Sequence, residues 1–429
     1  MKRDFVSFPI TNFQDTKSRL LDWGNRFDVC CLLDNHQYHL PHHRFECLLA
    51  AGSLDSLAAP AGNAFRKLDL FSARHDDWLF GHFGFDLKIE TEGTASSHPD
   101  HIQFPDLFFF VPEFVIELQQ DRIRIGSRNA HQEKILAEIF RLPGRVIYGS
   151  SGPIEAKHAF SQAEYKDTVE KIRRRILRGD CYEVNFCQEF LAQEVQADPL
   201  LLYRQLSQLS PTPFGAYYKT GDKFLLCASP ERYLTRQGPL LLSQPIKGTW
   251  ARDLSDPARD ERLQMQLLNS PKDRSENVMV VDLVRNDLSK VCENGSVHVE
   301  ELFGIYAFPQ VHQMISSVAG IPLADKSWVD LVKATFPMGS MTGAPKKRVL
   351  ELIETFEKSR RGLFSGAVGY VTPERDFDFN VVIRSILYNT SSRFLSFTVG
   401  SGITFYSEPE REYEECMIKA SAIKKVLTG

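Results

Sequence analysis

The sequence predicts an α+β fold, and three observations carry that prediction. Strand-like runs and long helix-like segments follow one another without the strict β-α-β alternation of a doubly wound sheet. The first 150 residues are richer in strand-like runs, and clear helices begin after them. Of the 429 residues, 43% are hydrophobic and 25% are charged, a composition typical of a chain that folds throughout.

Local patterns place the elements of the first half. Ser161 and Glu164 have the spacing of a capping box, and the apolar residues that follow at helical intervals predict a helix that ends at Gly179. Short apolar runs rich in β-branched and aromatic residues predict strands. These runs are Phe108–Leu118, Arg122–Ile125 and Tyr182–Leu191.

The second half alternates less regularly between helices and strands. A proline near the start of one helix, and a second capping-box spacing at Ser407 and Glu410, mark two helix starts. The predicted helices are Ser275–Lys290, Pro345–Lys358 and Glu408–Leu427, and the predicted strands are Gly366–Val371, Asn380–Tyr388 and Phe394–Val399.

Charge and cysteine content exclude several classes of protein. The net charge of -4, from 51 basic and 55 acidic residues, gives no broad basic field for nucleic acid and no polybasic anchor for a membrane. The most apolar run, Leu107–Val111, is far too short to span a bilayer, and the N-terminus lacks the apolar segment of a signal peptide. The eight cysteines form no CxxC pair. We expect reduced thiols, a cytoplasmic location, no nucleic acid and no membrane.

A loop-like stretch at Gly149–Lys157 marks the best candidate for a domain boundary. It divides the chain into a sheet-rich N-terminal region, residues 1–150, and a second region, residues 155–427, that contains the motifs discussed below.

Two acidic pairs with i, i+3 spacing lie near the starts of two predicted helices: Asp273 with Glu276, and Glu412 with Glu415. Lys419 follows on the stripe of the second pair, so one interpretation is a solvated face with a Glu415–Lys419 pair worth about 0.3–0.5 kcal/mol. The other is that both pairs converge on Mg²⁺, which takes few carboxylates and keeps several waters. The first helix continues with too many apolar residues to be wholly exposed, which favours the second interpretation.

Other candidate binding residues leave alternatives open. Two glycine-rich stretches, residues 337–346 and 399–409, lead into helix N-termini that can bind an anion, although the glycines can also simply form turns. Arg384 lies in the predicted strand NVVIRSILY and needs an anionic partner, either a residue of the fold or a substrate carboxylate. Taken alone, Lys247 in SQPIKGT and Glu231 in SPERYL are typical of a solvated loop and a turn.

The motifs occur in an order that identifies a family. From about Ser161 to Lys425 the chain carries GDCYEVNF, TPFG, SPER, PIKGT, KDRSENVMVVDLVRND, FPMGSMTGAPK, GAVGY, IRS, GSGI and EYEECMIKA. This series resembles the chorismate-utilising enzymes, which include anthranilate, aminodeoxychorismate, isochorismate and salicylate synthases. Residues 1–150 are similar to the N-terminal region of anthranilate synthase component I, mainly through the segment DWLFGHFGFDL. The resemblance implies a large two-layer β-sheet core with flanking helices.

The resemblance also implies roles for single residues. Glu276 and Glu415 would bind Mg²⁺, with Asp273 and Glu412 in supporting positions. The substrate would be chorismate, a dianion. Its carboxylates would be held by Arg384, Lys419 and the backbone at Gly400 and Gly402, with Gly248, Thr249 and Thr342 lining the pocket.

Within the family, the PIKGT motif with Lys247 resembles that of aminodeoxychorismate synthases, whereas anthranilate synthases usually have alanine at the position of Lys247. The implied reaction replaces the hydroxyl at carbon 4 of chorismate with an amino group from ammonia, on the route to p-aminobenzoate and folate. In the implied mechanism neutral Lys247 attacks carbon 2, protonated Glu231 assists the departing hydroxyl, and ammonia then adds as the lysine is expelled. Desolvation raises a carboxyl pKa and lowers a lysine pKa, which are the directions that this mechanism needs.

Three features bear on the alternatives. Glu183 stands where water-activating relatives have lysine, which argues against an isochorismate synthase, and Lys247 argues against an anthranilate synthase. Gln313 stands where many relatives have histidine, with His312 one place earlier, so the role of this position stays open. An inactive chorismate-binding protein is the non-enzyme alternative. Because the sequence has no glutaminase cysteine motif, ammonia is expected from a separate glutamine amidotransferase subunit.

Overall fold

The computed structural model describes residues 3–128, 131–144, 152–308 and 311–429. Two large antiparallel sheets with flanking helices form the fold, which confirms the predicted α+β class. The strands are β1 (Asp4–Pro9), β2 (Val29–Asp34), β3 (Cys47–Ala51), β4 (Asp55–Ala59), β5 (Leu79–Phe83), β6 (Leu107–Val111), β7 (Phe114–Leu118), β8 (Arg122–Ser127), β9 (Lys157–His158), β10 (Glu183–Ala192), β11 (Phe214–Thr220), β12 (Lys223–Ser229), β13 (Arg232–Gln237), β14 (Leu240–Gln244), β15 (Ile246–Ala251), β16 (His298–Ala307), β17 (Val311–Gly320), β18 (Gly343–Ala344), β19 (Ala367–Val371), β20 (Phe377–Val381), β21 (Ser385–Asn389) and β22 (Phe394–Ile403).

The helices lie between the strands along the chain, and the last one follows β22. They are α1 (Phe13–Gly24), α2 (Ala64–Ala73), α3 (Lys88–Thr91), α4 (Gln132–Phe140), α5 (Gln162–Leu177), α6 (Pro199–Leu209), α7 (Pro257–Leu268), α8 (Pro271–Ser289), α9 (Trp328–Thr335), α10 (Lys346–Phe356) and α11 (Pro409–Thr428), with 3₁₀ turns at Phe85–Leu87 and Gly339–Met341. Within the described ranges, none of these helices is both long enough and apolar enough to cross a membrane.

The first sheet has the strand order β1-β8-β7-β3-β2-β11-β12-β21-β22-β10-β18, with β9 paired to β10. The second has the order β15-β17-β14-β13-β20-β19-β5-β6-β4, with β16 paired to β17. Strands from before and after residue 150 pair in both sheets, through β2 with β11 and β5 with β19. The boundary proposed at residues 150–155 adjoins residues 145–151, which lie outside the described residues, so the division into two regions stays a prediction.

The first sheet is buried on both faces. Along β3, Leu48 and Ala50 belong to the apolar cluster shared with the second sheet, whereas Cys47, Leu49 and Ala51 belong to the cluster under the helices. Successive side chains of a strand point to opposite faces, so one strand contributes to both clusters. All eight cysteines are buried free thiols, as the sequence predicts.

Two predicted strands are each divided in the structure. The run Phe108–Leu118 turns at Pro112 and Glu113, so its halves are β6 in the second sheet and β7 in the first. The run Asn380–Tyr388 likewise separates into β20 and β21, which lie in different sheets. Arg384 is therefore not inside a strand, as predicted, but at the bend of this crossover, with a φ of 51°. Both runs are mainly apolar on either side of the bend because each half is a buried strand.

The capping boxes have different outcomes. Ser161 and Glu164 form the predicted box at the start of α5. The box predicted at Ser407 and Glu410 is wrong, because Pro409 begins α11 and Glu408 takes the cap position. The Ser407 hydroxyl instead accepts a hydrogen bond from the backbone N–H of Thr404 at 3.0 Å.

Helix α8 begins four residues earlier than predicted. Ser270 caps it by accepting a hydrogen bond from the N–H of Asp273, and proline occupies the first turn, where no hydrogen-bonding N–H is needed. Val280, Val281 and Leu288 are buried and fix the helix against the apolar core. The first acidic pair is thereby held in the first two turns, beside β15.

Candidate active site

A cavity of about 380 Å³ lies where β15 faces β22 and the helices α8 and α11. We call it the central cavity. It is lined by the predicted residues Glu231, Lys247, Gly248, Thr249, Asp273, Glu276, Arg384, Gly400, Gly402, Glu415 and Lys419. These residues come from six separate segments of the chain, so the fold brings together nearly the whole predicted site.

Two predicted residues do not line the central cavity. Thr342 is fully buried, and its hydroxyl donates to the carbonyls of Met338 and Gly339 at 3.2 and 3.3 Å, while its neighbours Ser340 and Met341 line the cavity instead. Glu412 is also buried, with 1% of its surface exposed. Thr342 therefore supports the wall, and the prediction that it lines the pocket is wrong.

Lys247 projects from an irregular part of β15. The pairing of β15 with β17 changes register between Ile246 and Thr249, and Gly248 has a φ of 94°, a conformation that favours glycine. A Cβ on Gly248 would lie 3.1 Å from the Cβ of Asp273, so the glycine also allows β15 to approach α8 closely.

The Lys247 ammonium donates a hydrogen bond to Oε1 of Glu183, the first residue of β10. The Lys247 side chain is 11% exposed and that of Glu183 is 1% exposed. Burial by itself lowers the pKa of Lys247, but the carboxylates of Glu183, Glu276 and Glu231 outweigh burial and raise it. The sequence predicts a neutral lysine. The three carboxyl groups shift the pKa of Lys247 in the direction opposite to the one that a neutral lysine needs.

Glu231 lies in the turn between β12 and β13 and is 4% exposed. Burial raises the pKa of its carboxyl to about 7, against the opposing effects of the Ser340 hydrogen bond, the Lys247 charge and the Ile246 backbone N–H. The direction agrees with the sequence argument that this carboxyl can keep its proton near neutral pH.

The two acidic pairs approach each other around a lysine that the sequence argument did not single out. The amino group of Lys272 is 3.3 Å from Oε1 of Glu412 and 3.8 Å from Oε1 of Glu276. Burial raises the pKa of Glu276 to about 8, against the opposing charge of Lys247. No group of three or more acidic, histidine or cysteine side chains is arranged as a ready-made metal centre within the described part of the chain. Lysines are the present partners of these carboxylates.

Some carboxylate oxygens nevertheless remain without a hydrogen-bond donor among the described residues. Oε1 of Glu276 and Oε2 of Glu412 are buried and have no such partner. Asp273 accepts a 3.3 Å hydrogen bond from the Trp250 indole. Since a buried, unsatisfied carboxylate oxygen is costly, these atoms are suited to a cation.

Two cationic side chains, Arg384 and Lys419, line the central cavity. The Lys419 amino group is 2.6 Å from Oε1 of Glu415 and donates to the Gly400 carbonyl at 2.9 Å. Burial would raise the pKa of Glu415, but Lys419 and the neighbouring lysines lower it. The half-buried Arg384 guanidinium has no hydrogen bond or ion pair to any described residue, and burial lowers its pKa. Arg384 is therefore free to bind an anion, which was one of the two sequence interpretations.

Gln313 and His312, whose roles the sequence left open, are neighbours on β17. Gln313 is buried and lines the central cavity. His312 faces the other side of the strand, where its Nε2 is 2.9 Å from Oδ1 of Asp260. The histidine is thus a structural partner of α7 and does not reach the cavity.

Comparisons with known proteins show the family of this chain. A profile of the chorismate binding enzyme family matches residues 34–425. An anthranilate synthase component I-like protein of Synechocystis sp. is 34% identical over 359 residues, which cover 83% of this chain and 73% of that protein. Aminodeoxychorismate synthase component 1 of Bacillus subtilis is 37% identical over 361 residues, covering 81% and 76%. The crystal structure of anthranilate synthase component I from Streptococcus pneumoniae matches 91% of this chain and 96% of its own, with a TM-score of 0.77 at 24% identity, a likeness of fold.

Proposed function

This chain belongs to the chorismate binding enzyme family, and on that premise we propose that it aminates chorismate at carbon 4, as component I of an aminodeoxychorismate synthase. The observation that carries the proposal is the position of Lys247, whose ammonium lies in the central cavity with its charge acting on the buried acid Glu231. One cavity thus contains a candidate nucleophile and a candidate acid. The name of the Bacillus subtilis relative supports the same reaction.

The cationic side chains suit a dianionic substrate. Arg384 has no hydrogen-bond or ion-pair partner among the described residues, and Lys419, which also lines the cavity, is held by Glu415 and the Gly400 carbonyl. We assign one carboxylate of chorismate to each cation. A guanidinium can bind a carboxylate through two parallel hydrogen bonds, so Arg384 also orients the ring.

Magnesium is the cofactor we propose, since the buried oxygens of Glu276 and Glu412 without donors fit a hard cation. Glu276 and Glu415 are the proposed ligands, with Asp273 and Glu412 in support. When bound, Mg²⁺ would polarise a substrate carboxylate and draw charge from the ring. Lys272, which now lies between Glu276 and Glu412, would have to move aside.

Lys247 and Glu231 are the proposed catalytic residues. Lys247, once deprotonated, attacks carbon 2 of the ring, and the double bonds shift so that the hydroxyl at carbon 4 departs. Glu231 gives that hydroxyl its proton, which its raised pKa allows near neutral pH. Ammonia then adds at carbon 4 and Lys247 is released.

The ammonia is proposed to come from a separate glutamine amidotransferase subunit. The numbered component in the names of relatives such as the Bacillus subtilis protein supports a partner. We place the reaction in the cytoplasm, in keeping with eight buried free thiols.

The purified chain with chorismate, Mg²⁺ and an ammonium salt should form 4-amino-4-deoxychorismate, identified by mass and by its separation from anthranilate. Glutamine in place of ammonium should give little product until an amidotransferase subunit is added. Formation of anthranilate or isochorismate would show that the chain catalyses that reaction and not the proposed one. The absence of any product would contradict the proposed function.

Glu276→Gln should weaken Mg²⁺ binding by at least about tenfold, because the amide removes one charge from the proposed ligand set. The measurement is isothermal titration with Mg²⁺, together with the Mg²⁺-dependent rise in Tm. Glu414→Gln is the matched control, since Glu414 is exposed on the same helix as Glu415 and faces away from the cavity. Equal Mg²⁺ affinities in the two variants would contradict the ligand assignment.

The Mg²⁺ affinity of the unaltered protein should increase with pH. The pKa of Glu276 is about 8 without metal, so below that pH the cation must displace a proton. The affinity should therefore rise by about tenfold per pH unit below pH 8 and level off above it. A constant affinity between pH 6 and pH 8 would show that Glu276 is not a ligand.

A further inference from the structure

Glu183 is the one hydrogen-bond partner of the Lys247 ammonium among the described residues. The two residues are 64 positions apart in sequence, and their side chains are almost fully enclosed. Oε2 of Glu183 is buried and accepts no hydrogen bond from any described residue. The carboxylate therefore has one oxygen on the amine and one oxygen that is free to take up a proton.

Gly402 makes room for this contact. A Cβ at position 402 would lie 2.6 Å from Oε1 of Glu183 and 2.9 Å from the Nζ of Lys247, which is closer than atoms can approach. The strands β10 and β22 are paired here, with Asn185 opposite Gly402. The absence of a side chain at 402 thus allows the carboxylate and the amine to meet at the cavity wall.

The other acids that face Lys247 have different tasks. Glu231, in the turn between β12 and β13, has to be protonated in order to assist the departing hydroxyl. Glu276, on α8, is a proposed Mg²⁺ ligand. Neither of them forms a hydrogen bond to the Nζ of Lys247, whereas Glu183 does. A charged lysine cannot attack carbon 2, so the reaction needs a group that removes its proton.

We propose that Glu183 is the catalytic base that deprotonates Lys247, an inference that rests on the proposed function. An N–H bond of the ammonium breaks and an O–H bond forms on Glu183. The freed lone pair of Nζ bonds to carbon 2, the bond between carbon 4 and its oxygen breaks, and the proton from Glu231 converts the hydroxyl to water.

The second half of the cycle restores both acids. Ammonia bonds to carbon 4 and the bond between carbon 2 and Nζ breaks, which releases a neutral lysine. Glu183 returns its proton to Nζ, and the new ammonium group at carbon 4 returns a proton to Glu231. No external base, oxidant or reductant is required.

Glu183→Gln tests this role, because glutamine keeps the shape and can still accept a hydrogen bond from Lys247 but cannot take its proton. We expect kcat for ammonia-dependent amination to fall by at least about 100-fold, with the Kd of chorismate changed by less than about twofold. Glu189→Gln is the matched control: Glu189 is a buried carboxyl on the same strand, outside the central cavity, and its replacement should leave kcat unchanged.

Glu183→Asp separates proton transfer from shape. The aspartate variant retains a carboxylate on a shorter side chain. We expect its kcat to be at least about tenfold higher than that of the glutamine variant. If Glu183 acted only by holding Lys247 charged, Glu183→Gln would release a more neutral lysine and the rate would be equal or higher. Wild-type kcat in Glu183→Gln, or equal losses in the two variants, would overturn the proposal. The proposed function fails separately, if the unaltered chain forms no aminodeoxychorismate.

Discussion

Lys247→Ala should lower kcat for amination at carbon 4 by at least about 10³-fold while chorismate still binds. The amine is the proposed nucleophile, and alanine removes the only atom that can form the bond to carbon 2. Arg384 and Lys419 hold the substrate from other segments of the chain, so the Kd of chorismate should change by only a few fold. The measurement is the steady-state rate at saturating ammonium, with chorismate binding followed by titration calorimetry.

The covalent step gives a second readout. Chorismate with Mg²⁺ and without ammonia should leave an adduct on Lys247 in the unaltered protein, seen by intact mass and located by peptide mapping. Lys247→Arg keeps a positive charge beside Glu183 but cannot act as the nucleophile, so it should lack the adduct and be as slow as the alanine variant. Near-native amination by either variant would show that ammonia attacks directly, and the covalent mechanism would then be wrong.

Glu231→Gln should lower kcat by about 10²–10⁴-fold with little change in KM, because the proton is needed mainly in the transition state. Glutamine has nearly the shape of the protonated acid and can donate a hydrogen bond, but it cannot release a proton to the departing hydroxyl. Glu117→Gln is the matched control, since Glu117 is also buried and its pKa is also raised by burial, but it lies far from the cavity on β7. Equal rates in the two variants would remove Glu231 as the acid.

The pH dependence of the same step has a definite sign. Glu231 acts in its protonated form, and its pKa is about 7, so kcat/KM of the unaltered protein should fall as pH rises through about 7. Glu231→Gln should lack this limb. Because folding raises this pKa, the protonated Glu231 carboxyl contributes to the stability of the folded state. That contribution is fully present below about pH 4.5 and is lost as pH rises through 7. The glutamine variant should therefore gain in Tm, relative to the unaltered protein, between pH 5 and pH 8.

Features that depend on neighbouring residues could be determined from the sequence alone. The capping box at Ser161 and Glu164, and the helix that follows it, are set by contacts within one turn. The acidic pairs on α8 and α11 follow from i, i+3 spacing in the same way. The ordered motifs also identified the family, and eleven of the thirteen site residues predicted from them line the central cavity.

Features that depend on contacts between distant segments were decided only by the tertiary structure. The run around Arg384 is apolar on both sides, so its pattern could not show that the chain crosses there from one sheet to the other. Thr342 does not line the cavity, because Ser340 and Met341 of the same turn do so instead and the Thr342 hydroxyl donates to the Met338 carbonyl.

The direction in which the pKa of Lys247 shifts is the clearest example of what the sequence could not determine. Burial alone would favour a neutral amine, and the local sequence contains no acid beside it. The acids come from β10, α8 and the turn after β12, which the fold brings around one nitrogen atom. A pKa depends on every charge within several ångströms in space, whereas a sequence pattern records only the charges that are close along the chain.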